Sequence, residues 1–205
     1  MGDTYYIKEL EDFYISKWKR FNQMEQRLAK EHLLMEEYSI VHSNVHIEPL
    51  DEDELPPTAY KVKFKKLKSI VGIGEDESPR YGYDHVMEIK IPLGYPINPA
   101  ICYITTDIWH PNIQCEEGPF KGRICGNTEG FGAHFSLDEL IDRVRDILSY
   151  KIYHAEYTYP YPEDETVARW VKKYAEPRGI VSKGVGLIDL RDRAAYRKIS
   201  ARNSG

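Results

Sequence analysis

The chain has 205 residues, of which 41% are hydrophobic and 30% are charged, and its formal net charge is −5. These proportions are ordinary for a globular domain with its own hydrophobic core, and the acidic balance argues against binding nucleic acid or an anionic membrane through overall charge. Three cysteines do not make a paired disulfide framework and suit a reducing, cytoplasmic compartment, and no apolar run approaches the roughly 20 residues of a membrane span.

Residues 4–41 are predicted to be helical, because apolar side chains recur at steps of three or four positions. The simplest interpretation is a helix whose apolar stripe packs on the rest of the domain. Basic residues lie off that stripe, and those used below are Lys17, Arg20, Arg27 and Lys30.

Strands are predicted in the next part of the chain. The composition shifts at residues 43–58, and the acidic run at 51–54 followed by Pro56-Pro57 favours a loop. The strict alternation at 60–65 predicts a strand with one buried face, and 85–91 and 100–106 are two more apolar strands. Three strands with short links indicate an antiparallel meander, and a fourth is expected if residues 60–73 fold back on themselves.

The stretch from residue 92 to residue 125 carries the chemistry. A proline-rich turn and an apolar strand lead into His110-Pro111-Asn112. Pro111 fixes its own φ and biases His110 away from helix, and Asn112 is free to present its amide from a turn. The chain then delivers Cys125 after a glycine. A thiolate nucleophile near an amide that can bind an oxyanion suits acyl transfer.

Two helices are predicted after Cys125. Residues 136–139 form a capping box that opens an amphipathic helix. Residues 162–165 open a second helix, which Pro177 and the following glycine end. The tail at 178–205 has seven Lys and Arg against two Asp, a net of +5. That charge suggests docking on an acidic surface of a partner or of the loop at 51–54, and an end without fixed structure is the simpler interpretation.

Four motifs in the central stretch resemble the ubiquitin-conjugating enzymes. They are Pro-x-x-Tyr-Pro at 92–96, a further proline at 99, His-Pro-Asn-Ile at 110–113 and Gly-x-Ile-Cys at 122–125. The resemblance covers roughly residues 28–174 and implies an enzyme that carries ubiquitin or a ubiquitin-like modifier as a thioester on Cys125. The modifier would then pass to a lysine or to a partner.

Both arguments predict the same α+β fold: an N-terminal helix, an antiparallel four-stranded meander sheet, an active-site loop and two C-terminal helices. We divide the chain into a helical extension at 1–20, a ubiquitin-conjugating-like catalytic domain at 21–177 and the basic tail at 178–205. The sequence departs from the family in two places. The loop between Asn112 and Cys125 is longer by about five residues, and Gly126-Asn127 stands where the family has leucine and aspartate.

The resemblance also implies residue roles. Asn112 would stabilise the oxyanion or hold the active-site loop. His110 could act as a base by residue type, but the family uses this histidine, with Pro111, to brace the loop. An acidic residue before the last core helix would orient the acceptor amine, and Asp164 is the nearest match, with Glu163 second. A carboxylate that only offsets the helix dipole is the alternative for Asp164.

The implied partners are the modifier, its activating enzyme, an acceptor protein lysine and, as a further candidate, a ligase. In the family the first helix docks on the activating enzyme and on ligases, partly through basic residues. Lys17, Arg20, Arg27 and Lys30 are therefore candidates for partner binding. No nucleic acid, membrane or metal is expected as a partner. No cofactor is expected either, because the activating enzyme consumes the ATP upstream.

Two other functions stay open. A non-catalytic variant of the same fold would bind a modifier without carrying it, and a Cys–His hydrolase would cleave modifier esters. The hydrolase is disfavoured because His110 is tied into a Pro-Asn turn. Cys102 is predicted to be structural, whereas Cys115 is incidental, a redox partner of Cys125 or a metal ligand with His110. Zinc needs more ligands than these spacings provide.

Overall fold

The computed structural model describes residues 2–51, 55–125, 135–158 and 161–182, with side chains from residue 6 onward. Helices α1 (Gly2–Lys17) and α2 (Gln23–Val41) precede strands β1 (Val45–Pro49), β2 (Ala59–Phe64), β3 (Ser69–Ile73), β4 (Pro79–Gly82), β5 (His85–Lys90) and β6 (Ile101–Ile104). Helices α3 (Leu137–Leu148) and α4 (Glu165–Trp170) follow, and α4 continues through a π-helical turn, Val171–Ala175, into a 3₁₀ turn, Glu176–Arg178. None of the helices in these ranges is long and apolar enough to cross a membrane.

The central sheet has four antiparallel strands in the order β1-β2-β5-β6. The predicted α+β class and four-stranded sheet are confirmed. The source of the fourth strand was predicted wrongly: it is β1, which precedes the predicted loop at 51–57. Val45 on β1 is fully buried while its neighbour His46 is exposed, so one face of this short strand covers the core. The segment expected to fold back does so as the separate β3–β4 hairpin.

The predicted helical stretch at 4–41 consists of two helices separated at residues 18–22, and the first of them coincides with the helical extension assigned to 1–20. Asn22 starts α2 with a capping box: its side chain accepts from the Glu25 N–H at 2.9 Å, and the Glu25 carboxylate accepts from the Asn22 N–H at 2.7 Å. Helix α1 then packs back on α2, where the Tyr14 hydroxyl lies 2.7 Å from Nδ1 of buried His32. The apolar period runs on across the break because both helices face the same cluster.

The core lies between the sheet and helices α2 and α3. Helix α3 begins at the predicted capping box at Ser136, and its apolar stripe is buried along its length. A second cluster fills the space between the β3–β4 hairpin and α4, around Ile70, Tyr150 and Trp170. The predicted end of the last helix is confirmed at Gly179, which adopts the left-handed conformation with φ of 65°.

A buried carboxylate connects three elements of this core. Glu31 on α2 is 1% exposed. One of its oxygens accepts from the Tyr95 hydroxyl at 2.8 Å and pairs with Arg27 at 2.5 Å. The other accepts from the N–H of Leu137, the first residue of α3, at 2.8 Å. These donors offset the cost of burying the charge, and they fix the proline-rich turn at 92–99 between α2 and α3.

We expect Glu31→Ala to lower the free energy of unfolding by about 3–5 kcal/mol, because it leaves the buried donors of Tyr95 and Leu137 and the half-buried Arg27 guanidinium without their acceptor. Urea unfolding monitored by circular dichroism measures the change. Glu37→Ala, at an exposed position of the same helix, is the matched control and should change stability by less than about 0.5 kcal/mol. Equal effects of the two substitutions would contradict the connecting role of Glu31.

Candidate active site

Cys125 lies at the base of an irregular hairpin formed by residues 110–125. The Cys125 N–H donates to the Asn112 carbonyl at 2.9 Å, and the Gln114 N–H donates to the Arg123 carbonyl at 3.0 Å. These bonds set an antiparallel register in which Cys125 is opposite Asn112. The predicted nucleophile and the predicted amide are therefore on facing strands.

Gly122 allows the hairpin to approach strand β6. Its φ is +81°, and a Cβ on this residue would lie 1.9 Å from the Ile104 carbonyl oxygen. The Ile104 N–H donates to the Gly122 carbonyl at 2.8 Å, and the Ile124 N–H donates to the Cys102 carbonyl at 3.0 Å. The glycine of the Gly-x-Ile-Cys motif is thus required by backbone contact, and the second arm of the hairpin is fixed to the sheet.

His110 is completely buried and braces the turn that precedes the hairpin. Its Nδ1 accepts from the Asn112 N–H at 3.1 Å, and its ring packs on Tyr150 with centroids 4.5 Å apart. Burial lowers the pKa of His110 to about 3, so the ring is neutral at pH 7. This geometry favours bracing over a role as a base, because the main chain already occupies Nδ1.

The Asn112 side chain is bonded to the main chain of a distant segment. Asn112 is 2% exposed. Its Nδ2 donates to the His154 carbonyl at 3.1 Å, and its Oδ1 accepts from the His154 N–H at 2.7 Å. The amide therefore ties the hairpin to the connection that follows α3. An oxyanion role would fall to the second N–H of the same amide group, since an amide nitrogen has two donors.

Asp164 is held among main-chain donors. It is 4% exposed. One of its carboxylate oxygens accepts from the Val167 N–H at 3.0 Å and caps α4, and the other accepts from the Cys115 N–H at 3.1 Å. These two bonds favour the alternative of a carboxylate that caps the helix, and the orientation of an acceptor amine by Asp164 stays a prediction. In the structure Asp164 joins α4 to the longer loop of the hairpin.

Glu163, the second candidate, faces the other way and pairs with Arg123. One Glu163 oxygen accepts from both Nε and Nη2 of Arg123, at 3.1 and 2.5 Å. The N–H groups of Glu163 and Asp164 both donate to the Pro111 carbonyl, at 2.8 and 3.1 Å. Arg123 is the variable residue of the Gly-x-Ile-Cys motif, and the sequence analysis assigned it no role. The one local signal was its position two residues before Cys125.

The other cysteines are unsuited to nucleophilic chemistry. Burial raises the pKa of Cys102 to about 12, and burial also raises the pKa of Cys115 to about 12. The Cys115 thiol donates to the Ile113 carbonyl at 3.2 Å. By the hairpin register Cys115 is three positions from the residue opposite Cys125, about 10 Å along a strand, which exceeds the reach of a disulfide. No group of three metal-ligating side chains occurs among the described residues.

The four basic candidates for partner binding differ in their surroundings. Arg27 is paired with buried Glu31 and lies over the Tyr95 ring, so its charge supports the fold. Arg20 and Lys30 are exposed, and Lys17 is half-buried at the end of α1. Docking through the four residues stays a prediction. Residues 126–134 and the tail beyond 182, where two further predictions fall, are outside the described ranges.

A family model described as ubiquitin-conjugating enzyme matches residues 33–169, more than half of the chain. This chain belongs to the ubiquitin-conjugating enzyme family. The match begins inside α2 and ends inside α4, so it contains the sheet, the hairpin and Asp164. Helix α1 precedes it.

Curated members of the family are similar to this ubiquitin-conjugating family member over a short segment. Ubiquitin-conjugating enzyme E2-22 kDa of Drosophila melanogaster is 44% identical over 45 residues, which cover 22% of this chain and 23% of the relative. Ubiquitin-conjugating enzyme E2 K of Homo sapiens is 40% identical over 55 residues, 27% of each chain. The matched segments span about a quarter of these relatives.

Two solved structures share the fold over most of their length. A ubiquitin conjugating enzyme structure from Plasmodium yoelii is 21% identical with a TM-score of 0.52, covering 77% of this chain and 88% of that one. A ubiquitin conjugating enzyme E2 domain from Toxoplasma gondii is 19% identical with a TM-score of 0.50, covering 76% and 90%. At these identities the likeness shows the fold alone.

The burial of His110 has a consequence for stability at low pH. Its pKa is about 3 in the folded protein and about 6.5 when unfolded, so the unfolded chain binds more protons between these values. The stabilisation is complete above the unfolded pKa and is lost as pH falls towards 3. From about pH 7.5 to 5.5 we expect this group to lower the free energy of unfolding by about 1.4 kcal/mol.

Urea unfolding of the wild type and His110→Asn at several pH values in that window measures the effect. His110→Asn should show a shallower pH dependence than the wild type, whatever its absolute stability. His46→Asn, at an exposed position, should keep the wild-type slope. A wild-type slope in His110→Asn would contradict the assignment.

Proposed function

We propose that this protein carries ubiquitin or a ubiquitin-like modifier as a thioester on Cys125 and transfers it to a lysine or to a partner protein. The observation that carries the proposal is the register of the hairpin, which sets Cys125 opposite Asn112 in a chain that belongs to the ubiquitin-conjugating family. Cys125 is 6% exposed, and its choice among the three thiols is supported by its position opposite Asn112 and at the end of the Gly-x-Ile-Cys motif.

Two acyl transfers make up the proposed reaction. In charging, the Cys125 thiolate attacks the carbonyl carbon of the modifier's C-terminal glycine, and the activating enzyme's thiolate leaves. In discharge, a deprotonated lysine amine attacks the same carbon, the C–S bond breaks and an amide forms. Each attack builds an oxyanion, and the second N–H of the Asn112 amide is the donor that we propose for it.

The surrounding residues are proposed to hold this geometry. His110, Pro111 and Asp164 position the hairpin through main-chain hydrogen bonds. Lys17, Arg20 and Lys30 are the proposed contacts for an activating enzyme or a ligase, and a cytoplasmic location suits the three thiols. A member that only binds a modifier would keep the fold and lose the covalent step.

Incubation with ubiquitin, a ubiquitin-activating enzyme and ATP should give a thiol-labile band on a non-reducing gel. Cys125→Ala should lose the band, and Cys125→Ser should give a thiol-resistant oxyester, because an ester survives thiols that cleave a thioester. Cys115→Ala is the matched control and should charge like the wild type. If Cys125→Ala keeps the thiol-labile band and Cys115→Ala loses it, the nucleophile is Cys115 and the proposal is wrong.

Asn112→Ala separates an oxyanion donor from a purely structural amide. Loss of an oxyanion donor costs about 10²–10³ in rate, whereas loss of the two bonds to His154 costs about 1–3 kcal/mol of stability. We expect single-turnover discharge of the pre-charged thioester to lysine to slow by more than about tenfold. Thermal unfolding of the same variant measures the structural part.

Rates must be compared well below the melting temperature of Asn112→Ala. Asp164→Ala is the control, since it removes main-chain bonds of the same hairpin and no proposed oxyanion donor. If Asp164 only caps α4 and holds the hairpin, this variant should melt lower and discharge at nearly the wild-type rate, whereas slower discharge would support its role in orienting the acceptor amine. Wild-type discharge by Asn112→Ala, together with a lowered melting temperature, would show that Asn112 is structural only.

A further inference from the structure

Arg123 shares a face of the hairpin with Cys125. Side chains alternate along an extended strand, so Arg123 and Cys125 lie on the face opposite Ile124, about 6.6 Å apart along the chain. Ile124 is 4% exposed and belongs to the main core. The alternate face therefore carries the proposed nucleophile and a guanidinium two residues before it.

The ion pair with Glu163 fixes the direction of the Arg123 side chain. Arg123 is opposite Gln114, whereas Glu163 is bonded through its N–H to Pro111, one residue beyond the Asn112–Cys125 pair. The ion pair therefore draws the guanidinium towards the base of the hairpin, the end at which Cys125 lies. The Arg123 guanidinium also lies 4.7 Å from the centre of the Phe120 ring. Phe120 is nearer the tip of the hairpin, so this contact restricts the guanidinium on that side.

Arg123 places a positive charge on the strand that carries Cys125. The pKa of Arg123 is raised, chiefly by its hydrogen bond to Glu163, with further Coulombic contributions from Glu163, Tyr103 and Cys125. The Arg123 side chain is 40% exposed and that of Glu163 is 15% exposed, so solvent weakens these interactions without removing them. A positive charge on the same face of a strand as a thiol, two residues away, favours the ionised form of that thiol.

We propose that Arg123 stabilises the Cys125 thiolate, as attacking nucleophile and as leaving group, and that Glu163 limits this effect by neutralising the guanidinium. The inference deepens the proposed function and rests on it for the use made of the thiolate. In discharge the lysine nitrogen bonds to the carbonyl carbon, the C–S electron pair returns to Sγ beside Arg123, and the amine proton goes to solvent. Glu163 acts through Arg123 and is a positioning residue.

The pair makes a prediction that a purely structural ion pair does not. Removing either partner breaks the same contact, so a structural role gives both variants the same sign of effect. An electrostatic role gives opposite signs. Arg123→Gln removes the positive charge, whereas Glu163→Gln keeps that charge and removes the carboxylate that neutralises it. The other charged or titratable groups around the hairpin base are Tyr103, Asp164, His154 and Glu156, and they stay constant across the variants.

The test is the pH dependence of Cys125 alkylation by iodoacetamide on the full chain, quantified by peptide mass spectrometry. We expect Arg123→Gln to raise the midpoint by about one pH unit and slow alkylation near pH 7 about tenfold. Glu163→Gln should lower the midpoint and speed alkylation. Arg123→Lys should restore much of the wild-type profile, since it keeps the positive charge.

Lys121→Gln is the matched control, because Lys121 is an exposed cation of the same hairpin paired with Glu117, and its profile should equal that of the wild type. Shifts of the same sign in Arg123→Gln and Glu163→Gln, or midpoints unchanged in both, would overturn the proposal. If Arg123→Gln does not fold, the directions seen in Glu163→Gln and Arg123→Lys still decide. Alkylation needs no activating enzyme or modifier, so its failure is distinguishable from a failure of thioester formation.

Discussion

The Pro111 carbonyl accepts the N–H groups of Glu163 and Asp164, and the arrangement of the candidate site depends on these two bonds. A proline fixes φ and has no N–H of its own, so this turn presents its carbonyl in a set direction. The start of α4, some fifty residues further along the chain, is thereby brought against the hairpin. From there Asp164 reaches one arm of the hairpin and Glu163 reaches the other.

Most polar side chains at the site are used to hold the main chain. His110, Asn112 and Asp164 are buried, and each bonds to main-chain groups of the hairpin, of α4 or of the connection after α3. Buried polar atoms need such partners, because an unsatisfied group costs free energy comparable to the bond it lacks. The proposed chemistry is left to the Cys125 thiol, which is buried, and to partly exposed charged groups such as Arg123.

The fold could be predicted where local pattern and tertiary contacts agree. Helix α3 has a capping box and a continuous apolar stripe, and β2 alternates strictly, so both were evident from sequence. Strand β1 was not predicted, because a run of five residues that includes one charged residue and one proline gives too weak a strand pattern. The position of the break at 18–22 could not be predicted from the sequence. Helix α1 folds back on the same cluster as α2, so the apolar period continues across the turn.

The candidate site was predictable at Cys125, where a motif specifies position, and less so among the carboxylates. Two adjacent acidic residues at a helix start look equivalent in sequence. Only the approach of the hairpin decides that Asp164 turns to main-chain donors and Glu163 to Arg123. The same holds for Arg27, whose basic character suggested a partner surface, whereas its buried neighbour Glu31 makes it part of the fold.

The longer loop of the hairpin has a consequence for how this fold tolerates change. The pairing of Cys125 with Asn112 and the contact of Gly122 with β6 are set at the base, so residues added at the tip leave the base register in place. Lengthening such a loop costs little, about 0.6 kcal/mol for each doubling. The segment at 116–120 is therefore a natural point of insertion, at which a foreign peptide would be displayed on the hairpin that carries Cys125 while the protein beneath keeps its architecture.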